Sequence, residues 1–96
     1  MHAVIRRYDR VAGPPERLQR AGQALAVRLS RAPGFVSYAA LDDGAGVLAS
    51  VSKKLTEADL VAADRLVAAW EAEYLGALLP RPPTVTGGEV VVQRGL

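Results

Sequence analysis

The sequence predicts an α+β domain with the order β-α-β-β-α-β, a four-stranded antiparallel sheet carrying two helices on one face. Three observations lead there. Two stretches with apolar residues at spacings of three and four enclose a pair of short apolar runs; an Asp/Gly cluster joins those runs; and short β-branched runs stand near both ends. With 96 residues, 50% of them apolar and 23% charged, the chain makes one domain, residues 1–96, with no room for a second.

Residues 3–10, AVIRRYDR, read as the first strand, closed by Gly13-Pro14-Pro15. The prolines suit a first helical turn, where a missing N–H costs nothing, and Glu16 complements the positive helix end. This helix runs to about Arg31, with Leu18, Leu25 and Leu29 on one face and Gly22 between them, until Pro33-Gly34 stops it. Residues 35–41 and 47–52 pair as a hairpin across Asp42-Asp43-Gly44-Ala45-Gly46. Phe35, Ser37, Ala39 and Leu41 share one face of the first run, and Val36, Tyr38 and Ala40 the other; Val47, Ala49 and Val51 oppose Leu48, Ser50 and Ser52 in the second. Thr56 caps a second helix with Glu57 and Asp59 in its first turn. Leu60, Ala63, Val67, Trp70, Tyr74 and Leu78 form its apolar stripe, and it extends to about residue 79, where Pro80, Pro82 and Pro83 follow. Residues 89–93, with Val90-Val91-Val92 at their centre, read as the last strand.

This order is the ferredoxin-like arrangement, in which the helices cover one face of the sheet. Apolar residues lie on both faces of the hairpin strands, so the second face also needs cover. The composition points the same way. Seventeen alanines and only five aromatic residues supply many small contacts and few large anchors. A chain of this length buries roughly 60 to 65% of its unfolded surface. A second copy packed sheet against sheet would add the missing support, giving a homodimer.

Several function classes drop out. The absence of cysteine removes disulfides and thiolate zinc sites and fits a cytoplasmic protein. No apolar run approaches the roughly 20 residues of a membrane span. The net charge of +2 is modest: the basic first third and the acidic stretch 57–73 read as solvated helix faces, with no nucleic-acid surface. An RNA-recognition sheet would need aromatics on its first and third strands, and the third strand here has none. Gly44-Ala45-Gly46-Val47-Leu48-Ala49 matches a dinucleotide-binding pattern, but a strand follows where a helix is required. His2 is the only histidine, so a metal site lacks a second histidine or a cysteine, and a serine–histidine–acid relay could recruit only His2, with no G-x-S-x-G elbow present. Asp42 and Asp43 are explained by turn chemistry. No cofactor is expected. What remains is Trp70 with Tyr74, either as core aromatics or as the lining of a pocket between helix and sheet that Tyr38 and Tyr8 join from the strands.

Ala32-Pro33-Gly34-Phe35 before the second strand, the Asp-Asp-Gly hairpin ahead of Gly46-Val47-Leu48-Ala49-Ser50-Val51-Ser52, and the long helix bearing Trp70 together resemble the dimeric α/β-barrel superfamily, nearest its antibiotic-biosynthesis-monooxygenase-like domains. The likeness spans nearly the whole chain. It implies homodimers with sheets packed face to face, and a pocket between sheet and helices in each subunit. It further implies cofactor-independent oxygenation of polycyclic aromatic or quinol-like compounds, or haem degradation. The family's catalytic set of asparagine, tryptophan and histidine is matched only by Trp70, since the chain has no asparagine and its histidine is His2. Lys53-Lys54-Leu55 stands where many members carry an aromatic. These departures disfavour haem degradation. The resulting expectation is a homodimer binding a small apolar or aromatic ligand near Trp70, Tyr74, Tyr38, Tyr8 and His2, with Tyr38, Tyr74 or His2 as proton-transfer candidates. The alternative is a non-catalytic dimeric interaction module in which Trp70 fills the space.

Overall fold

A computed structural model describes residues 1–74, 76–78 and 81–95. The elements are β1 (His2–Tyr8), α1 (Pro15–Ser30), β2 (Phe35–Asp42), β3 (Leu48–Lys54), α2 (Glu57–Tyr74), a 3-10 turn (Gly76–Leu78) and β4 (Thr84–Glu89). The sheet has the order β2-β3-β1-β4 with every neighbouring pair antiparallel. This is the ferredoxin-like topology. No helix among the described residues is long and apolar enough to cross a membrane.

Local chemistry accounts for most of the boundaries. β1 stops short of residue 10 because Arg10 takes a positive φ of 56°, which turns the chain out of the sheet. Pro14 and Pro15 open α1, and the Arg31 N–H closes it on the Arg28 carbonyl at 3.2 Å. The hairpin is an Asx-turn structure: Asp42 Oδ1 accepts the Gly44 N–H at 2.9 Å, and Asp43 Oδ1 accepts those of Ala45 and Val47 at 2.7 and 3.0 Å. At the start of α2, Thr56 Oγ1 accepts the Asp59 N–H at 3.1 Å, and its hydroxyl donates to Asp59 Oδ2 at 2.8 Å. Gly34 lies against that turn with a φ of +72°, and a Cβ there would overlap the Asp59 carboxylate. Glycine is therefore required at this point for two reasons, conformation and space.

Three expectations need correction. The last strand is Thr84–Glu89, ahead of the valine run, and its register runs from Arg7↔Thr84 to His2↔Glu89. Its partner β1 is used up at that point: Val90 donates one more bond to the Met1 carbonyl, 2.9 Å, and Val91 and Val92 lie exposed. A β-branched run without a partner strand makes no ladder. Phe35 leaves the face it was expected to share with Ser37, because a register shift between Phe35 and Ser37 puts it opposite Lys54 and against the helix-side core. Tyr74 leaves the buried stripe and is 52% exposed. The expected end of α2 near residue 79 lies outside the described residues.

The core sits between helices and sheet. Leu25 and Leu29 of α1 meet Ala63, Val67 and Trp70 of α2 and Leu78 of the 3-10 turn, with Phe35, Tyr38 and Leu66 packed alongside. Leu29 is fully buried. On the opposite face of the sheet Ile5 and Leu41 are 48% and 59% exposed, with Ala39, Ala49 and Val51 in register between them.

Candidate functional site

Strand alternation sends Val4, Arg6 and Tyr8 of β1 toward the helices, opposite Ser52, Ser50 and Leu48 of β3. The inner face of the sheet is thus largely polar. Arg6, Ser50, Ser52 and Lys54 are all buried there. α2 answers with two carboxylates seven residues apart, two helical turns along the same face. Arg6 Nε donates to Asp64 Oδ1 at 3.0 Å and Arg6 Nη2 donates to the same oxygen, while Glu71 Oε2 stands 3.8 Å from Arg6 Nη1. Lys54 is satisfied separately: its Nζ donates to the Leu29 carbonyl at 3.4 Å, at the negative end of α1, and lies 4.7 Å from the Phe35 ring centroid.

Beyond the Arg6 fork is a small chamber of ≈ 30 Å³, lined on its polar side by Tyr8, Tyr38, Ser50 and Glu71 and on its apolar side by residues that include Trp70 and Leu25. That volume is about one water molecule's share of liquid. It adjoins a larger open groove of ≈ 520 Å³ between α1 and β2, and Leu18, Gly22, Tyr38, Ala40 and Leu48 line both. Gly22 lines the passage with no side chain, as α1 passes over the sheet. A volume of several hundred cubic ångströms with mainly apolar walls and a few convergent polar groups is the form of a small-molecule site.

The electrostatics of the chamber follow from burial. Tyr8 is 3% exposed, and among the described residues its hydroxyl has no hydrogen-bond partner. Burial, then the nearby Glu71 carboxylate, push the Tyr8 phenol well above its ordinary range, so it stays protonated. Tyr38 is raised by the same two causes, against an opposing pull from Ser50 and Arg6. Glu71 is itself raised, chiefly by burial, with Tyr8 and Arg6 drawing it back toward the ionised form. The chamber therefore combines a phenolic donor and a carboxyl group, with the Arg6 cation 3.8 Å from that carboxyl.

Of the expected site residues, Tyr8, Tyr38 and Trp70 converge on this chamber. Tyr74 does not line it. Its ring centroid lies 5.5 Å from that of Trp70, but it looks onto a separate groove between the helices with Arg17, Arg20 and Arg28. His2 is at the other end of β1, six residues from Tyr8, or about 20 Å of extended strand. The sequence reading missed Arg6, Ser50, Asp64 and Glu71. A usable signal existed in the two-turn spacing of Asp64 and Glu71 beside the Leu60, Val67 and Trp70 stripe, but nothing local tells that the facing strand presents an arginine. Among the described residues no three histidine, aspartate or glutamate side chains cluster closely enough to hold a metal ion.

No protein-family model and no curated protein matches the chain. Solved structures do. A protein of Nitrosomonas europaea, whose assignment as an antibiotic biosynthesis monooxygenase is itself provisional, superposes with a TM-score of 0.80 at 13% identity, covering 98% of this chain and 93% of that one. Rv0793 from Mycobacterium tuberculosis gives 0.73 at 21% identity, with 98% of each chain covered. SnoaB, a cofactor-independent oxygenase from Streptomyces nogalater, gives 0.65 at 18% identity, covering 99% of this chain and 95% of that one. The chain has the ferredoxin-like fold of the antibiotic-biosynthesis-monooxygenase-like proteins. At these identities the likeness is one of fold, and chemistry must be argued from the site.

Proposed function

We propose that this protein binds a small apolar or aromatic molecule between sheet and helices, with its body in the α1–β2 groove and a polar end in the chamber. The observation that carries this is the grouping of Tyr8, Tyr38, Ser50 and Glu71 in a chamber at one end of a mainly apolar groove. The buried Tyr8 phenol, without a partner among the described residues, supports a ligand, since such a group costs about 1–3 kcal/mol unless something answers it. The non-catalytic interaction module lacks a comparable observation.

The oxygenase activity of SnoaB supports a catalytic extension of this reading. In cofactor-independent monooxygenation the substrate supplies both electrons: one oxygen atom of O₂ enters the product as a carbonyl, and the other leaves as water with the two hydrogens lost from the substrate. Trp70 and the apolar lining would exclude bulk water, and Tyr8 with Tyr38 would hold the substrate oxygen. His2 and Tyr74 stand outside the chamber and have no part in this reading. We further propose that the outer sheet face, with Ile5, Leu41 and Val51, pairs with a second copy, and that the protein works in the cytoplasm.

Two measurements test the reading. Titration with naphthalene-sized ring compounds, followed by the fluorescence of Trp70, the only tryptophan, should saturate, and Ala40→Trp, which fills the passage shared by groove and chamber, should abolish it. A flat titration would sink the binding reading and favour the interaction module. Oxygen consumption with quinols and anthrone-like compounds should exceed the buffer rate; binding without consumption would remove catalysis and leave a binding protein.

A further inference from the structure

Glu71 stands apart from the pairing that stabilises the inner face. The close hydrogen bonds of Arg6 go to Asp64, which leaves Glu71 in the longer contact of 3.8 Å. Its side chain is 14% exposed, so most of its hydration is lost. Tyr8, on the strand across from it, has a buried hydroxyl with no partner among the described residues. Both residues line the ≈ 30 Å³ chamber, which has room for one oxygen atom and little else. A carboxylate outside the close Arg6–Asp64 pairing and a phenol lacking an acceptor thus border the same oxygen-sized space.

We propose that Glu71 and Tyr8 form a hydroxyl-recognising pair, in which a ligand O–H donates to the Glu71 carboxylate while the Tyr8 hydroxyl donates to that same ligand oxygen. The inference rests on the reading of groove and chamber as a ligand site and adds which end of the ligand enters and what it must carry. The ligand class is a hydroxyl-bearing apolar ring, a phenol or enol in its protonated form. A ketone or ether oxygen could accept from Tyr8 but would leave Glu71 facing an acceptor. An ionised phenol would place a second negative charge beside it. Arg6 fixes the position of the carboxylate, so Arg6 is a positioning residue here.

The groups facing Glu71 set the sign of the pH response. Arg6 and Tyr8 come from β1, Tyr38 from β2 and Asp64 from α2 itself, and Arg81 lines with Glu71 a further cavity behind the chamber. Burial holds both tyrosines in their neutral form, so ionising the ligand hydroxyl removes the proton that would reach Glu71 and adds a negative charge beside it. Affinity should therefore fall as the ligand hydroxyl ionises.

The test is calorimetric titration of the intact protein with 2-naphthol and 2-methoxynaphthalene, and with 4-nitrophenol across the pH range in which it ionises. In the wild type the naphthol should bind about ten- to a hundredfold tighter than its methyl ether, as expected for a hydrogen bond to a charged acceptor. Nitrophenol affinity should drop as its anion forms. Glu71→Gln should flatten that pH dependence, and Tyr8→Phe should weaken naphthol binding about tenfold. Equal binding of naphthol and ether by the wild type, or an unchanged pH dependence in Glu71→Gln, would overturn the pairing while leaving the pocket intact. If no ring compound binds at all, the ligand-site reading fails and this inference with it.

Discussion

The two faces of the sheet carry the reverse of the usual assignment. Toward the helices lie Arg6, Ser50, Ser52 and Lys54, buried; away from them lie Ile5 and Leu41, about half exposed. Ordinary burial preferences would exchange these sets. On the inner face each buried charge has a fixed answer: Arg6 has two carboxylates, and Lys54 has a helix-end carbonyl and an aromatic ring. Stability alone does not require that arrangement, because well-packed apolar residues commonly serve as well as a buried ion pair. The polar inner face fits the proposed ligand chamber, and the apolar outer face fits the proposed pairing with a second copy.

This contrast can be broken at several points. The largest effect is expected from Arg6→Ala, which leaves Asp64 and Glu71 without their cation; denaturant unfolding should show a loss of about 3 kcal/mol. A change of a few tenths would mean that water satisfies the carboxylates and that the inner face is far less organised than its geometry. On the outer face, Ile5→Asp with Leu41→Asp should convert the proposed dimer to a monomer in light scattering while leaving the far-ultraviolet circular dichroism unchanged. A dimer that survives both charges would place the interface elsewhere.

Smaller effects sharpen the comparison. Because burial raises the carboxyl of Glu71 in the folded state, that state holds its proton more tightly than the unfolded chain does. The stability linked to this proton is present at pH below the ordinary carboxylate value and is lost as pH rises through the raised one. Glu71→Gln cannot lose it, so the stability of the variant relative to the wild type should increase from acid to neutral pH. A constant or decreasing difference across that interval would contradict the burial. Smallest of all, Val91→Ser, in the exposed segment past β4, should leave monomer stability within about 0.5 kcal/mol. A greater loss would show that this segment packs against something.

The legible parts of the fold were those written in a few consecutive residues. The Asp42–Gly46 turn and Thr56 each act through bonds spanning four residues or fewer, and each sits where local chemistry places it. β4 was misplaced for the opposite reason. Val90-Val91-Val92 has the stronger propensity, yet β1 offers partners to Thr84–Glu89 and then ends. Of the site, Tyr8, Tyr38 and Trp70 were visible as aromatics, whereas Glu71 looked like one more acid on an acidic helix.

What the sequence determined by itself is the order of elements, their caps and turns, and the expectation that the sheet presents apolar groups on both sides. Period, capping and turn formation depend on neighbours along the chain, so they can be read from it. The tertiary structure decided which side of each strand the helices cover. A strand's alternation is the same in either orientation, and only the pairing of Arg6 with Asp64, 58 residues away in sequence, and with Glu71 beyond it shows that the polar side faces inward. The chamber exists because of that choice, and so does the uncovered apolar face.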